Sequence, residues 1–180
     1  MVTNFSRSEL ALLLGVPYET FKAWLRRDLL PTFIDSPERT ACTAFDALVA
    51  VTADMFCTGS TGADRTGIAH ALHHYLEIFY RLAMLLDQGE SDVTIVQALT
   101  NDGQLKQDGG RLGETVSKVT RPSRSPVVRM TIVSLHLAAM TVRERARQHK
   151  IDIGRKFAMT EEEAAEIARL PFVRRHRAKA

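Results

Sequence analysis

The apolar residues from Phe5 to Leu30 predict two short amphipathic helices joined by a tight turn. In the first helix, apolar side chains recur at the spacing of one helical face: Leu10, Leu13 and Leu14. The second helix has an apolar face of its own, formed by Phe21, Trp24, Leu25 and Leu29. Ser6 and Glu9 have the spacing of a capping box, and Gly15-Val16-Pro17 ends the first helix. This arrangement is typical of a helix-turn-helix, whose second helix can enter a DNA major groove.

The pattern that follows predicts a hairpin and two more helices. Residues 31–44 have the turn chemistry of a wing, with its tip between Ile34 and Arg39. A third helix is expected from Phe45 to Phe56, and the glycines and threonines of 58–62 interrupt it. A long helix with a wide apolar stripe is expected over residues 64–88.

The C-terminal half predicts a smaller β component. Asp92 to Thr100 is rich in β-branched residues and precedes an Asp-Gly hairpin signal. Residues 103–126 have the composition of a long loop or a mobile segment, with a short strand at 114–119. Residues 127–149 favour a strand to 137 followed by a helix, and a single helix over the whole range is the alternative. Thr160 and Glu163 have the spacing of a second capping box, and a basic tail follows.

These elements predict a mainly α fold with a small β component. The expected divisions are a winged helix-turn-helix at 1–62, a connecting helix at 63–90, a region for dimerisation or partner contacts at 91–159, and a short helix with the tail at 160–180. No apolar run approaches the ~20 residues that span a bilayer, and no secretion signal is recognisable. We therefore expect a cytoplasmic protein that makes no membrane contact.

The opening segment resembles the N-terminal winged-helix domain of MerR-type regulators and their excisionase-like relatives. The matching motifs are Leu14-Gly15-Val16, Phe21-Lys22-Ala23-Trp24 and Leu29-Leu30-Pro31, followed more weakly by Arg39 in the wing and Phe45-Asp46-Ala47-Leu48 in the third helix. The resemblance covers roughly residues 5 to 75. It implies a DNA-binding transcription regulator, of the compact kind found in phages or mobile elements. Beyond about residue 90 the chain does not resemble the family's dimerising coiled coil, so the family's sensing role is not implied.

Charge is distributed unevenly along the chain. Residues 1–103 hold 7 Lys/Arg and 13 Asp/Glu, giving −6, whereas residues 104–180 hold 17 and 8, giving +9. The predicted DNA-binding segment therefore lies in the acidic half. Phosphate binding depends on the direction in which the cations face, so a cationic surface on the second helix remains compatible with this balance.

The predicted DNA contacts lie on the second helix and the wing: Tyr18, Thr20, Lys22, Arg26, Arg27 and Arg39. Tyr18 and Thr20 are near the N-terminal end of the helix, where base edges are reached, and the cations suit phosphates or guanine. An ordinary solvated helix face and, for Arg39, a surface ion pair with Glu38 or Asp35 are the alternatives. Trp24 is expected to be in the core or half-buried against it, with base stacking as the alternative.

Other chemistry is weakly indicated. His70, His73, His74 and Glu77 share a helical face, but the pattern is not a metalloprotease motif and a polar stripe explains it. Cys42 and Cys57 are too few for a disulfide framework or a four-ligand zinc site. The chain has no phosphate-cradling glycine motif and no nucleophile elbow. We expect no cofactor, no metal and no enzymatic activity.

The sequence therefore predicts a regulator that binds double-stranded DNA, as a homodimer, with its C-terminal half open to a protein partner. An excisionase or a DNA-packaging recognition subunit would use a similar winged helix. A protein-interaction module is the third possibility, suggested by the acidic N-terminal half.

Overall fold

The computed structural model describes residues 3–27, 29–31, 34, 41–59, 68–69, 72, 76–121, 125–160 and 162–163. These residues form a mixed α+β protein. The helices within them are α1 (Arg7–Leu14), α2 (Tyr18–Arg26), α3 (Ala44–Gly59), α4 (Leu76–Asp87), α5 (Leu112–Val119) and α6 (Leu135–His149). Three strands, β1 (Val93–Thr100), β2 (Leu105–Arg111) and β3 (Val127–Ser134), form an antiparallel sheet.

Both predicted ends of α1 are confirmed. The Glu9 backbone N–H donates to the Ser6 hydroxyl at 3.2 Å, and the Ser6 backbone N–H donates to the Glu9 carboxylate at 2.7 Å. These two bonds form the capping box, and the bond from the Ser6 backbone is the main cause that lowers the pKa of Glu9. Gly15 ends the helix at φ 71°, a left-handed conformation in which glycine has no steric penalty.

The core is built around α3. Every residue from 44 to 53 is buried, because the helix is covered by α1, α6 and β3 on different sides. Asp46 caps the first turn of α3. Its carboxylate accepts hydrogen bonds from the backbone N–H of Thr43 at 2.7 Å and from the Thr43 hydroxyl at 3.0 Å. The same hydrophobic cluster contains Phe5 near the N-terminus and Phe157 in the segment after α6. Residues far apart in sequence therefore share one core.

The sheet has the order β2-β1-β3, so β1 is central. Val93 and Ile95 on one of its faces join the main core, whereas Val96 and Ala98 on the other pack under α5. The predicted Asp-Gly hairpin is confirmed, since Thr100 and Gln104 close the turn through a 2.9 Å backbone bond. The alternative of one helix over 127–149 is wrong: β3 leads directly into α6, where the Ser134 hydroxyl accepts from the Leu137 N–H at 3.2 Å.

The prediction of a loop over residues 103–126 is wrong. Residues 105–111 form the edge strand β2, and the segment expected to be a short strand is the helix α5. Glycine is needed in β2 because a Cβ on Gly109 would lie 2.6 Å from Leu82 and 2.9 Å from Ile78 of α4. The strand thus uses a residue type that usually indicates a loop.

Some predictions fall partly outside the described residues. The predicted long helix is confirmed over Leu76–Asp87, whereas most of residues 64–75 are not described. Residues 32–33 and 35–40 of the predicted wing and the basic tail also lie outside the described residues. The second capping box is confirmed, because the Thr160 backbone N–H donates to Glu163 at 2.7 Å and the Glu163 N–H donates to the Thr160 hydroxyl at 3.2 Å.

Candidate nucleic-acid interface

The helix α2 is mounted on the core by one face. Phe21 is fully buried and Leu25 is 8% exposed, while Trp24 is half-buried and packs against the main core, as predicted. Phe21 and Leu25 are four positions apart, so they cover one stripe of the helix. The opposite stripe is left facing away from the core.

The predicted contact residues of α2 lie outside the buried stripe. Tyr18 is 43% exposed, Arg26 and Arg27 are exposed, and Thr20 and Lys22 are half-buried. Arg39 lies outside the described residues. Four of the six predicted residues therefore lie on one short helix, Arg27 directly follows it, and all five remain accessible to a ligand.

Local contacts hold the first turn of α2. The Lys22 ammonium forms a 2.7 Å ion pair with Glu19 and lies 5.3 Å from the centre of the Tyr18 ring. The Tyr18 ring stacks at 6.2 Å on the buried ring of Phe21, with an interplanar angle of 18°. The cation–π contact and the stacking restrict Tyr18 and Lys22 before any partner binds. Glu19 offsets part of the positive charge of this face.

The turn between α1 and α2 is held by a residue that sequence reasoning missed. The Arg145 guanidinium, on α6, donates to the Leu13 carbonyl at 2.9 Å. A cation at this position also complements the negative end of the α1 dipole. The guanidinium fills the space beside Gly15, where a Cβ would lie 2.9 Å from its Cζ and Nη2 atoms. Arg145 therefore fixes the turn that sets the angle between the two helices.

We expect Gly15→Ala to destabilise the protein by about 1 to 2 kcal/mol, the cost of a non-glycine residue in a left-handed conformation, and to displace Arg145 as well. A double-mutant cycle in urea checks the second effect: in an Arg145→Ala background the loss from Gly15→Ala should be smaller, because the steric conflict is gone. Equal losses in the two backgrounds would show that Arg145 does not occupy the turn.

The other arginines of α6 have contacts within the protein. Arg143 lies over the Phe157 ring at 5.0 Å and donates to the Arg155 carbonyl at 3.3 Å, while Arg147 pairs with Glu144 at 2.8 Å. The last pair lowers the pKa of Glu144, mainly through the hydrogen bond from Arg147. Arg143 therefore has contacts with the segment after α6, whereas the Arg147 pair is a surface contact with the side chain of Arg147 79% exposed.

Among the described residues, the remaining candidates do not form a second site. His70, His73 and His74 lie outside the described residues, and Glu77 is exposed on α4. Across the described ranges, no cluster of three or more His, Cys, Asp or Glu could hold a metal ion. Cys42 is buried and Cys57 is half-buried, and neither is in a disulfide. None of the helices in the described part of the chain has the length and apolar character needed to cross a membrane.

One cavity of about 600 Å³ lies between the start of α3 and the segment after α6. Its lining contains the cations Arg155 and Lys156 and the carboxylates Asp152 and Glu163. Because the two signs are balanced, the lining selects neither an anion nor a cation.

The described residues form a mixed α+β protein whose second helix leaves Tyr18 and Arg26 exposed. No protein-family model matches the chain, and a search of curated proteins finds no match either.

Proposed function

We propose that the chain is a transcriptional regulator that binds duplex DNA in a sequence-specific manner through α2. Tyr18 and Thr20 contact base edges near the N-terminal end of the helix. Lys22, Arg26 and Arg27 bind phosphates or guanine. No catalytic step is assigned to any of these residues.

The observation that carries this proposal is the accessibility of α2 after folding. Its apolar stripe is buried, while Tyr18 is 43% exposed and Arg26 and Arg27 are exposed. A helix mounted in this way can enter a major groove without rearrangement of the core. Arg145 supports the same role. It lies on α6, outside the helix pair, and its hydrogen bond to the Leu13 carbonyl holds the turn between α1 and α2.

The Glu19–Lys22 ion pair is compatible with DNA binding. Both side chains are substantially exposed, 78% and 43% respectively, so the pair contributes less than about 1 kcal/mol and opens at little cost when a phosphate approaches. Lys22 then exchanges one anionic partner for another. The acidic composition of the N-terminal half therefore does not remove the cationic face of α2.

Selection of bound sequences from a random duplex library tests the proposal directly. We expect an enriched motif, and an affinity for it that falls steeply with salt, since each neutralised phosphate adds about −0.9 to the slope of log K against log salt. Enrichment of no motif would exclude specific recognition. Absence of any duplex binding at low salt would favour the protein-interaction module instead.

A further inference from the structure

An acidic side chain lies on the outward face of the first turn of α2. Glu19 is two positions before the buried Phe21, which places the two side chains about 200° apart around the helix axis. The side chain of Glu19 is 78% exposed, more than that of its neighbour Lys22. When α2 lies in a DNA groove with Phe21 toward the core, the carboxylate of Glu19 therefore faces the base edges.

A carboxylate in a groove of DNA is unfavourable unless it accepts a hydrogen bond there. The phosphates of both strands repel it, and its oxygens are acceptors only. The donors that the major groove offers are the exocyclic amines, N4 of cytosine and N6 of adenine. Adenine carries a second acceptor, N7, beside its N6, and this atom repels the other carboxylate oxygen. Cytosine N4 is thus the partner that suits Glu19.

Lys22 extends this match to the opposite base. Its ammonium lies 2.7 Å from Glu19 Oε1, one turn along the same face of the helix. In a C·G pair, cytosine N4 donates to guanine O6, so the major-groove edge carries a donor and an acceptor at a similar spacing. Glu19 and Lys22 provide an acceptor and a donor in the complementary arrangement. The ion pair can therefore stay closed on a C·G pair, whereas a phosphate requires it to open.

Contacts within α2 favour this fixed arrangement. The Lys22 ammonium lies 5.3 Å from the centre of the Tyr18 ring, and that ring stacks on the buried ring of Phe21. The ammonium is thus held between the Glu19 carboxylate and an aromatic ring that is itself packed. Because fewer rotamers have to be fixed on binding, such an ordered pair loses less entropy than two independent side chains.

We propose that Glu19 and Lys22 act as one unit that determines sequence specificity, in which Glu19 accepts from cytosine N4 and Lys22 donates to the guanine of the same C·G base pair. This inference rests on the proposed function, since it names a base pair that the outward face of α2 reads. Glu19 also acts against wrong sites, because other base pairs leave its carboxylate without a well-matched donor.

The test repeats the selection from a random duplex library with Glu19→Gln and with Lys22→Ala beside the parent. The parent motif should contain a C·G position that discriminates against a mismatched pair by about 5- to 150-fold. Glu19→Gln should change the preference at that position to A·T, because glutamine binds adenine N6 and N7 together. Lys22→Ala should reduce the preference at the same position and retain the rest of the motif.

Glu144→Gln is the matched control. Glu144 pairs with Arg147 of α6 at the same spacing of three residues, with a distance of 2.8 Å, and its side chain is 48% exposed. The variant changes net charge by the same amount as Glu19→Gln, so it separates base preference from a general gain in affinity for phosphates. It should select the parent motif. Circular dichroism of each variant should match the parent, because the replaced side chains are at least partly exposed.

Three results would overturn the inference and leave the proposed function intact. The first is a parent motif in which every position keeps its preference in Glu19→Gln. The second is a change at one position in Glu19→Gln and at a different position in Lys22→Ala, because the two side chains would then not read one base pair. The third is an equal change in Glu144→Gln, which would attribute the preference to net charge. A parent that selects no motif would instead remove the proposed function, and this inference with it.

Discussion

Simultaneous replacement of Lys22 and Arg26 by alanine is expected to weaken specific DNA binding by about 2 to 4 kcal/mol, or roughly 30- to 700-fold. Both cations lie on the part of α2 that faces away from the core. Their removal takes away phosphate or guanine contacts without opening a cavity. The free energy of unfolding should fall by less than about 1 kcal/mol, because the Lys22–Glu19 pair is largely exposed.

Fluorescence anisotropy with the selected duplex measures the loss, and urea denaturation measures the stability of the same samples. Arg155→Ala with Lys156→Ala is a suitable control, because it removes two exposed cations from the segment after α6 and changes net charge equally. The control should bind within about threefold of the parent, while the α2 variant should also lower the salt slope by about one for each lost phosphate contact. Equal weakening by both variants would indicate non-specific attraction only.

Phe21→Ala is expected to destabilise the protein by about 3 to 5 kcal/mol, the usual cost of removing a buried phenylalanine ring. Phe21 is fully buried, belongs to the main core and supports the ring of Tyr18. The truncation leaves a cavity beneath α2 that neighbouring helices cannot fill without moving. Removal of the ring would therefore eliminate much of the apolar contact that holds α2 on the core.

Urea denaturation of the Phe21 variant beside Tyr18→Ala provides the comparison. Tyr18 is the adjacent aromatic residue on the same helix but is 43% exposed, so its truncation should cost only about 1 kcal/mol. The difference between the two variants measures the anchoring of α2. Similar losses of unfolding free energy for both variants would mean that the buried apolar stripe does not hold α2 on the core. The inference that α2 has a fixed position on the core would then be wrong.

Elements with local signals were predictable from the sequence. The capping box of Ser6 and Glu9, the stop at Gly15 and the hairpin at Asp102-Gly103 all depend on neighbouring residues. The strand β2 was not predictable, because Gly109 is required by side chains of α4 that lie more than twenty positions earlier. The helix α5 was missed for a related reason: its Val116 and Val119 pack on β1, and β-branched composition alone indicates a strand.

The candidate site likewise contains residues that were predictable from the sequence and one that was not. Helical periodicity was sufficient to separate Phe21 and Leu25 from the exposed cations of α2. Arg145 could not be identified in this way, because it reaches Leu13 across 132 positions of chain. Its neighbours on α6 carry similar charge but contact Phe157 and Glu144 instead. Only the packing of α6 against α1 distinguishes these arginines.

The bond between Arg145 and Leu13 also has a consequence for biosynthesis. A contact of such high sequence separation closes late during folding, after loop-closure entropy has been overcome. Translation proceeds from the N-terminus at about 5 to 20 residues per second. Leu13 is therefore synthesised roughly 7 to 26 seconds before Arg145, so the nascent chain cannot complete this geometry until most of the polypeptide exists.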